Sequence, residues 1–293
     1  MSTNVYLWCA RVLWALLPVS AGAAFSDALD GWSTGPARVA AALLWVAWAC
    51  GIVALFVPRP LGLTALRVIA PLALVCAVLT ITSTTGGTAV LALASTIVAV
   101  TFALASPVVQ AAANSLAYGD EVRFALRIPT PLLLGPIPIG IAVIGAGVAS
   151  GPLLLADGRI ALGIAAVVVG LPAAALLARS LHGLSRRWLV FVPAGIVVAD
   201  PLSLLDPVLV RRNEVAGLQR VKGVGRTNAP NTLDLRLGTV AGSVALLLRV
   251  PQPFARRRGR SDAVIAEPST VLVAVVRSAE ALGVAGLRRI TTG

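Results

Sequence analysis

Charge is what this sequence lacks most. Of its 293 residues only 12% are Asp, Glu, Lys or Arg, against roughly 25% in a soluble domain. Acidic groups are the scarcer sign, with 12 Asp/Glu against 24 Lys/Arg, and histidine occurs once, as His182. The three cysteines, Cys9, Cys50 and Cys76, form no CxxC pair, and one histidine cannot complete a metal site with them. They lie inside apolar runs, where a free cysteine behaves as a small hydrophobe. Neither a metal nor another cofactor is expected.

Catalytic motifs are missing as well. There is no GxxxxGK[ST], and the segment from Lys222 to Thr227 holds its glycines in the wrong order. There is no GxSxG, and Ser185 and Ser203 lack a second histidine or a placed acid. The run from Gly145 to Gly151 is not GxGxxG and follows no strand. The expectation is a protein that is not an enzyme.

What is abundant is apolar length. Hydrophobic residues make up 58% of the chain and mean hydropathy is +0.91, values of the membrane class. A span needs about 20 apolar residues, and six are read at 6–24, 39–57, 66–83, 88–106, 132–150 and 160–178. Arg11 in the first must reach the near surface or find a partner. The end of that span, VSAGAAF, resembles a signal-peptide cleavage site, but no Lys or Arg precedes the apolar stretch that begins at Tyr6, so an uncleaved span is expected. Arginines concentrate in alternate loops, which places both termini in the cytoplasm of a multi-pass plasma-membrane protein.

Two stretches of this six-span domain, 1–179, draw notice. Pro136 and Pro138, followed by Gly140, Gly145, Gly147 and Gly151, give the fifth span an irregular start and a small-residue face. Gly147 and Gly151 form GxxxG, which favours close helix packing. The prolines either shape the entrance of the span or break it as at a transport site. The segment 110–127 brings Asn114, Tyr118, Asp120, Glu121, Arg123 and Arg127 into one cytoplasmic loop. Asp120 and Glu121 are adjacent carboxylates, but neighbours on a helix point about 100° apart, so local pairing with Arg123 and Arg127 is expected over acid–base work.

The pattern switches at 179–200, and the remainder, 180–293, reads as a basic β-rich domain carrying 16 Lys/Arg against 7 Asp/Glu. Strands are expected at 187–192, 195–200, 207–211, 215–221, 232–237, 243–250 and 263–266, with a turn-rich loop at 223–231. Pro268 then opens an expected helix in which Leu272, Val275, Val276, Ala279 and Leu282 recur at helical spacing, stopped by Gly283. About seven short strands capped by one helix predict a small closed or half-closed barrel. Arg256, Arg257, Arg258 and Arg260 form the sharpest charge cluster, with Arg186 and Arg187 beside the last span. Near a membrane their first partner is anionic lipid or an acidic protein surface, at about 1 kcal/mol per side chain. Nucleic acid is not expected, because no aromatics interleave with the arginines.

Strand pairs after a membrane anchor, the DPLSLLDPVLVRRNEV segment from Asp200 to Val215 and a final helix resemble bacterial pleckstrin-homology-like membrane proteins. The resemblance covers the last third. It implies a PH-like binding or assembly module with no specific activity attached. The Ala-, Val-, Arg- and Gly-rich, lysine-poor composition resembles that of a high-GC actinobacterium. Three functions follow as expectations. The first is a non-catalytic inner-membrane accessory or scaffold protein, offering its PH-like domain to a partner complex, a second copy or anionic lipid in cell-envelope assembly. The alternatives are a transporter or lipid translocator using the fifth span, and a membrane enzyme using Asp120 and Glu121.

Overall fold

The computed structural model describes residues 3–83, 86–221, 231–259 and 262–293. The chain divides into two units. One takes residues up to Ala112 together with Ile137–His182, the other Ala113–Pro136 together with Gly183–Gly293. The boundary expected at 179/180 lies close to the junction at His182, but the segment Ala113–Pro136, expected within the span domain, belongs to the β-rich unit.

In the helical unit, α1 (Thr3–Ala15) and α2 (Leu17–Leu29) make one apolar stretch of 27 residues interrupted at Leu16. Pro18 supplies the cause. It has no N–H, so the Trp14 carbonyl, four residues back, loses its helical donor. The Trp48 indole N–H takes that place at 3.0 Å, and the Trp14 indole donates to the Trp48 carbonyl at 3.0 Å. Trp48 belongs to α3 (Thr34–Phe56). Gly51 on the same helix gives the Trp14 ring its room, because a Cβ there would collide with it. Arg11 finds partners in the protein: its Nε–H donates to the Leu55 carbonyl at 3.1 Å, and it lies 5.0 and 4.9 Å from the Trp8 and Phe56 ring centres.

The chain continues through α4 (Pro60–Thr80), α5 (Gly87–Ala103) and α6 (Ser106–Asn114), the last two bent by 41°. Pro107 in the first turn of α6 leaves the Ala103 carbonyl without its donor, a sufficient cause for the bend. After β1 (Val122–Ala125) and α7 (Thr130–Leu134) come α8 (Pro136–Ala156) and α9 (Ile160–Leu184). Among the described residues five helical stretches are long and apolar enough to cross a membrane, or six if the bent pair is one span. Pro136 and Pro138 stand in the first turn of α8, where a missing N–H removes no helical bond. The expected span 132–150 thus starts four residues later than read. Leu7, Trp14, Leu55, Leu66, Val100 and Val108 share one buried cluster.

The β-rich unit uses period-two alternation. Sheet one runs β1-β2-β3-β4 with β2 (Trp188–Val192), β3 (Gly195–Ala199) and β4 (Val208–Arg211), every pair antiparallel. Its register sets Phe124 opposite Leu189, Leu189 opposite Val198 and Ile196 opposite Val210, so one face is wholly apolar. Further strands follow: β5 (Val215–Arg220), β6 (Thr232–Asp234), β7 (Ser243–Leu248), β8 (Phe254–Arg257), β9 (Ala263–Ala266) and β10 (Thr270–Ala274). Sheet two has the order β5-β7-β10-β6, with only the β10–β6 pair parallel. Leu218, Leu246 and Val271 align across it, and both sheets bury their apolar faces in one core.

Two expectations change here. The barrel is not closed: the two four-stranded sheets and the β8–β9 ribbon are open, joined outside the named strands by single bridges such as Leu126 to Val275. The helix expected from Pro268 is a strand first, and α10 (Ser278–Leu287) begins only at Ser278. Val271, Val273 and Val275 are fully buried at alternate positions, and β-branched residues suit a pleated central strand better than a helix.

Candidate functional site

The polar groups of the β-rich unit fall into three places. In the first, 114–127, the side-chain amide of Asn114 grips β1 by both backbone groups of one residue, Arg123. Its Nδ2–H donates to the Arg123 carbonyl and its Oδ1 accepts the Arg123 N–H, each at 2.9 Å. Glu121 receives the Arg123 Nε–H at 2.6 Å, and Arg123 lies 4.8 Å from the centre of the Trp188 ring. That hydrogen bond holds the Glu121 carboxyl below its ordinary range, against a smaller opposing effect of burial. Asp120 does not join it: its carbonyl accepts from Arg288, and its side chain is exposed. The two carboxylates thus lie in different settings, one paired with Arg123 and the other exposed. Tyr118 is 90% exposed, and an Arg127 Nη–H donates to the Val276 carbonyl at 3.4 Å. The expected cytoplasmic loop is thus a strand of the β-rich unit, held by its own polar residues.

The second place is internal. Arg187, expected on a lipid- or partner-facing surface, is 2% exposed. It makes a two-pronged ion pair with Asp200, at 2.7 and 2.8 Å, and donates to the carbonyls of Arg127 at 2.8 Å and Leu235 at 3.0 Å. Asp200 also accepts the Leu202 N–H at 3.1 Å. A planar guanidinium with five donors suits such a junction. Arg187 is therefore a structural cation, and a surface role is corrected on grounds of burial. Its neighbour Arg186 is exposed. A second pair joins the buried Arg236 to the partly exposed Asp234 at 2.7 Å, and its hydrogen bond raises the already high pKa of that arginine.

The third place is the β8–β9 ribbon. Arg256 and Arg257 lie on β8 and Arg258 follows it, all exposed, so this part of the expected charge cluster stands on and beside a strand. Arg260 lies outside the described residues, as does most of the expected loop 223–231. The ribbon is held on one side by Leu205 N–H to the Ala255 carbonyl and Arg257 N–H to the Ser203 carbonyl, both at 2.9 Å. Arg258 N–H closes it onto the Asp262 carbonyl at 2.9 Å. Register puts Arg256 opposite Val264 and Ala255 opposite Ile265, and opposite residues share a face. Ile265, 68% exposed, therefore lies on the face of Ala255 and Arg257, and the exposed Val264 on the face of Arg256. Phe254, fully buried, anchors the ribbon in the core.

In the helical unit, Gly147 and Gly151 lie on the α8–α9 contact. A Cβ on Gly147 would stand 2.5 Å from the Gly170 carbonyl oxygen, and one on Gly151 2.5 Å from a Val167 methyl. Among the described residues no group of three or more His, Cys, Asp or Glu could hold a metal ion. Sequence reasoning missed Asp200 as the partner of Arg187, and Trp14 and Trp48 as a linked pair. The available signal for the first was spacing: Arg187 stands two and four residues before Leu189 and Phe191, on the parity of the buried face of β2. Protein-family models, curated proteins and solved structures were all compared with this chain, and none matches.

Proposed function

We propose that this chain is a non-catalytic accessory protein of the plasma membrane, with both termini cytoplasmic, that offers a pleckstrin-homology-like unit to a partner. The partner is a protein of a cell-envelope assembly, a second copy of the chain, or the anionic headgroups of the bilayer. The observation that carries the reading is the β8–β9 ribbon, where Arg256, Arg257 and Arg258 stand exposed and each face carries an exposed apolar residue beside an arginine, Val264 with Arg256 and Ile265 with Arg257. Cations beside an exposed apolar residue suit an acidic surface with an apolar component, and ordering on a strand lowers the entropy lost on binding. The paired use of Glu121, and the exposed, separate Asp120, argue against an acid–base dyad.

The test uses full-length protein in nanodiscs of neutral lipid, mixed with vesicles rich in phosphatidylglycerol and, separately, with detergent extract of the native membrane. Wild type should co-float with the vesicles in a salt-sensitive way, or retain a stoichiometric protein companion. The triple variant Arg256→Gln, Arg257→Gln, Arg258→Gln should lose that association while unfolding at the wild-type temperature. Association unaffected by the triple substitution, or absent from wild type in both mixtures, overturns the reading.

A further inference from the structure

The helical unit contains a cavity of about 510 Å3 among α1–α2, α3 and α4, within the roughly 300–1,000 Å3 typical of small-ligand pockets. Its walls are apolar, with Trp14, Trp45, Trp48 and Leu72 among them, and its charged lining is Asp30 and Arg38. Both charges are exposed, and they form no ion pair with each other or with any other described residue. Asp30 follows the last residue of α2 and Arg38 lies in the second turn of α3, so both charges stand at one end of the helices. Trp48 is ten positions further along α3, about 15 Å at 1.5 Å per residue. That depth is half of a hydrocarbon core of about 30 Å. The cavity therefore has the length of one leaflet, an apolar trough below, and one positive and one negative group at its mouth.

We propose that this cavity holds one phospholipid with a phosphoethanolamine headgroup, its phosphate on Arg38, its ammonium on Asp30 and one acyl chain between the tryptophans. A headgroup carrying both charges matches the unpaired mouth. An anionic headgroup would leave Asp30 facing a phosphate, which like charges disfavour. The inference rests on the membrane helices alone and is independent of the arginine ribbon.

Gly22 supplies the decisive variant. It lines the cavity, and a Cβ there would meet nothing within 4 Å, so a side chain can start there without a backbone collision, and Gly22→Leu should occupy the trough. Full-length protein would be placed in nanodiscs of equal phosphatidylethanolamine and phosphatidylglycerol, extracted gently, and weighed intact with its retained lipid. Wild type should keep one phosphatidylethanolamine per chain, enriched severalfold over the bilayer mixture. Gly22→Leu should lose it, and Arg38→Gln and Asp30→Asn should each reduce it severalfold. In parallel, phosphatidylethanolamine brominated on its acyl chains should quench tryptophan emission more than the brominated phosphatidylglycerol does, and Gly22→Leu should remove the difference. Retained lipid with the composition of the bulk bilayer means adventitious lipid only and overturns the proposal. So does selective phosphatidylglycerol retention that depends on Arg38 but not Asp30. Should Gly22→Leu fail to fold, unchanged retention in the Arg38 and Asp30 variants overturns it as well.

Discussion

Trp14 and Trp48 exchange hydrogen bonds: each indole N–H donates to the other residue's backbone carbonyl at 3.0 Å. The exchange repairs a defect written into the same helix, since Pro18 cannot donate to the Trp14 carbonyl. Trp48→Phe removes the repair and should destabilise the helical unit by about 1 kcal/mol, the scale of interhelical hydrogen bonds in membranes. Pro18→Ala restores the backbone donor. The double variant should therefore lose less than the sum of the two singles, measured by detergent-denaturant unfolding in a double-mutant cycle. Strict additivity would break the link between the proline and the tryptophan.

The Arg187–Asp200 pair leads to a second expectation. Arg187→Met leaves a buried carboxylate unpaired and should cost about 3–5 kcal/mol. Adding Asp200→Leu removes the orphaned charge and should recover part of that loss. Recovery stays incomplete, because the Arg127 and Leu235 carbonyls and the Leu202 N–H still lack the partners they have in wild type. Hydrogen exchange of the β2 and β3 amides in the full chain reads both steps.

Acid should loosen β1 through Glu121. The folded state favours its carboxylate, so the stabilisation is complete above the unfolded value, near 4.5, and disappears as pH falls through the lower folded value. Protection of the Val122–Ala125 amides should fall over that acid window in wild type. In Glu121→Gln it should already be reduced at neutral pH and show no such step. Identical acid profiles for the two proteins would assign the step to another group.

The glycine contact of α8 and α9 is tested by one methyl group. Gly147→Ala places a Cβ against the Gly170 carbonyl, backbone against backbone, so neither side can rotate away. The two helices must separate, at about 1–3 kcal/mol for an overpacked site. Gly140→Ala on the same helix meets nothing within 4 Å and should be close to neutral. Thermal unfolding in detergent distinguishes them.

Legibility differed with the physics of each element. The apolar runs that became α3, α4, α8 and α9 could be read from length and hydropathy alone, because a bilayer demands both. The paired strands around Pro193 were legible through alternation and a turn. β10 was misread because Leu272, Val275, Val276 and Ala279 match a helical period by coincidence, in a run whose neighbours are also apolar. Only the pairing with β7 on one side and β6 on the other reveals a strand. β1 was hidden because polar residues flank Val122 and Phe124, and its partner lies beyond three further helices in the sequence. The site suffered most from this. Arg187 and Arg186 look equivalent in sequence, yet one is buried on Asp200 and the other exposed.

The interruption of the β-rich unit has a consequence for how the protein is made and handled. β1 leaves the ribosome before α8 and α9, and its partner β2 only after them. For that interval Phe124 has no Phe191 ring to meet, which it later contacts edge-on at 5.6 Å, and an apolar strand waits with an open edge. Cutting the chain after α9 would make that wait permanent. Such a truncation exposes β1 instead of cleanly removing a tail, and its aggregation would be mistaken for loss of function. A separately expressed 183–293 fragment would lack one strand of its first sheet, and supplying 113–136 as a peptide should restore it.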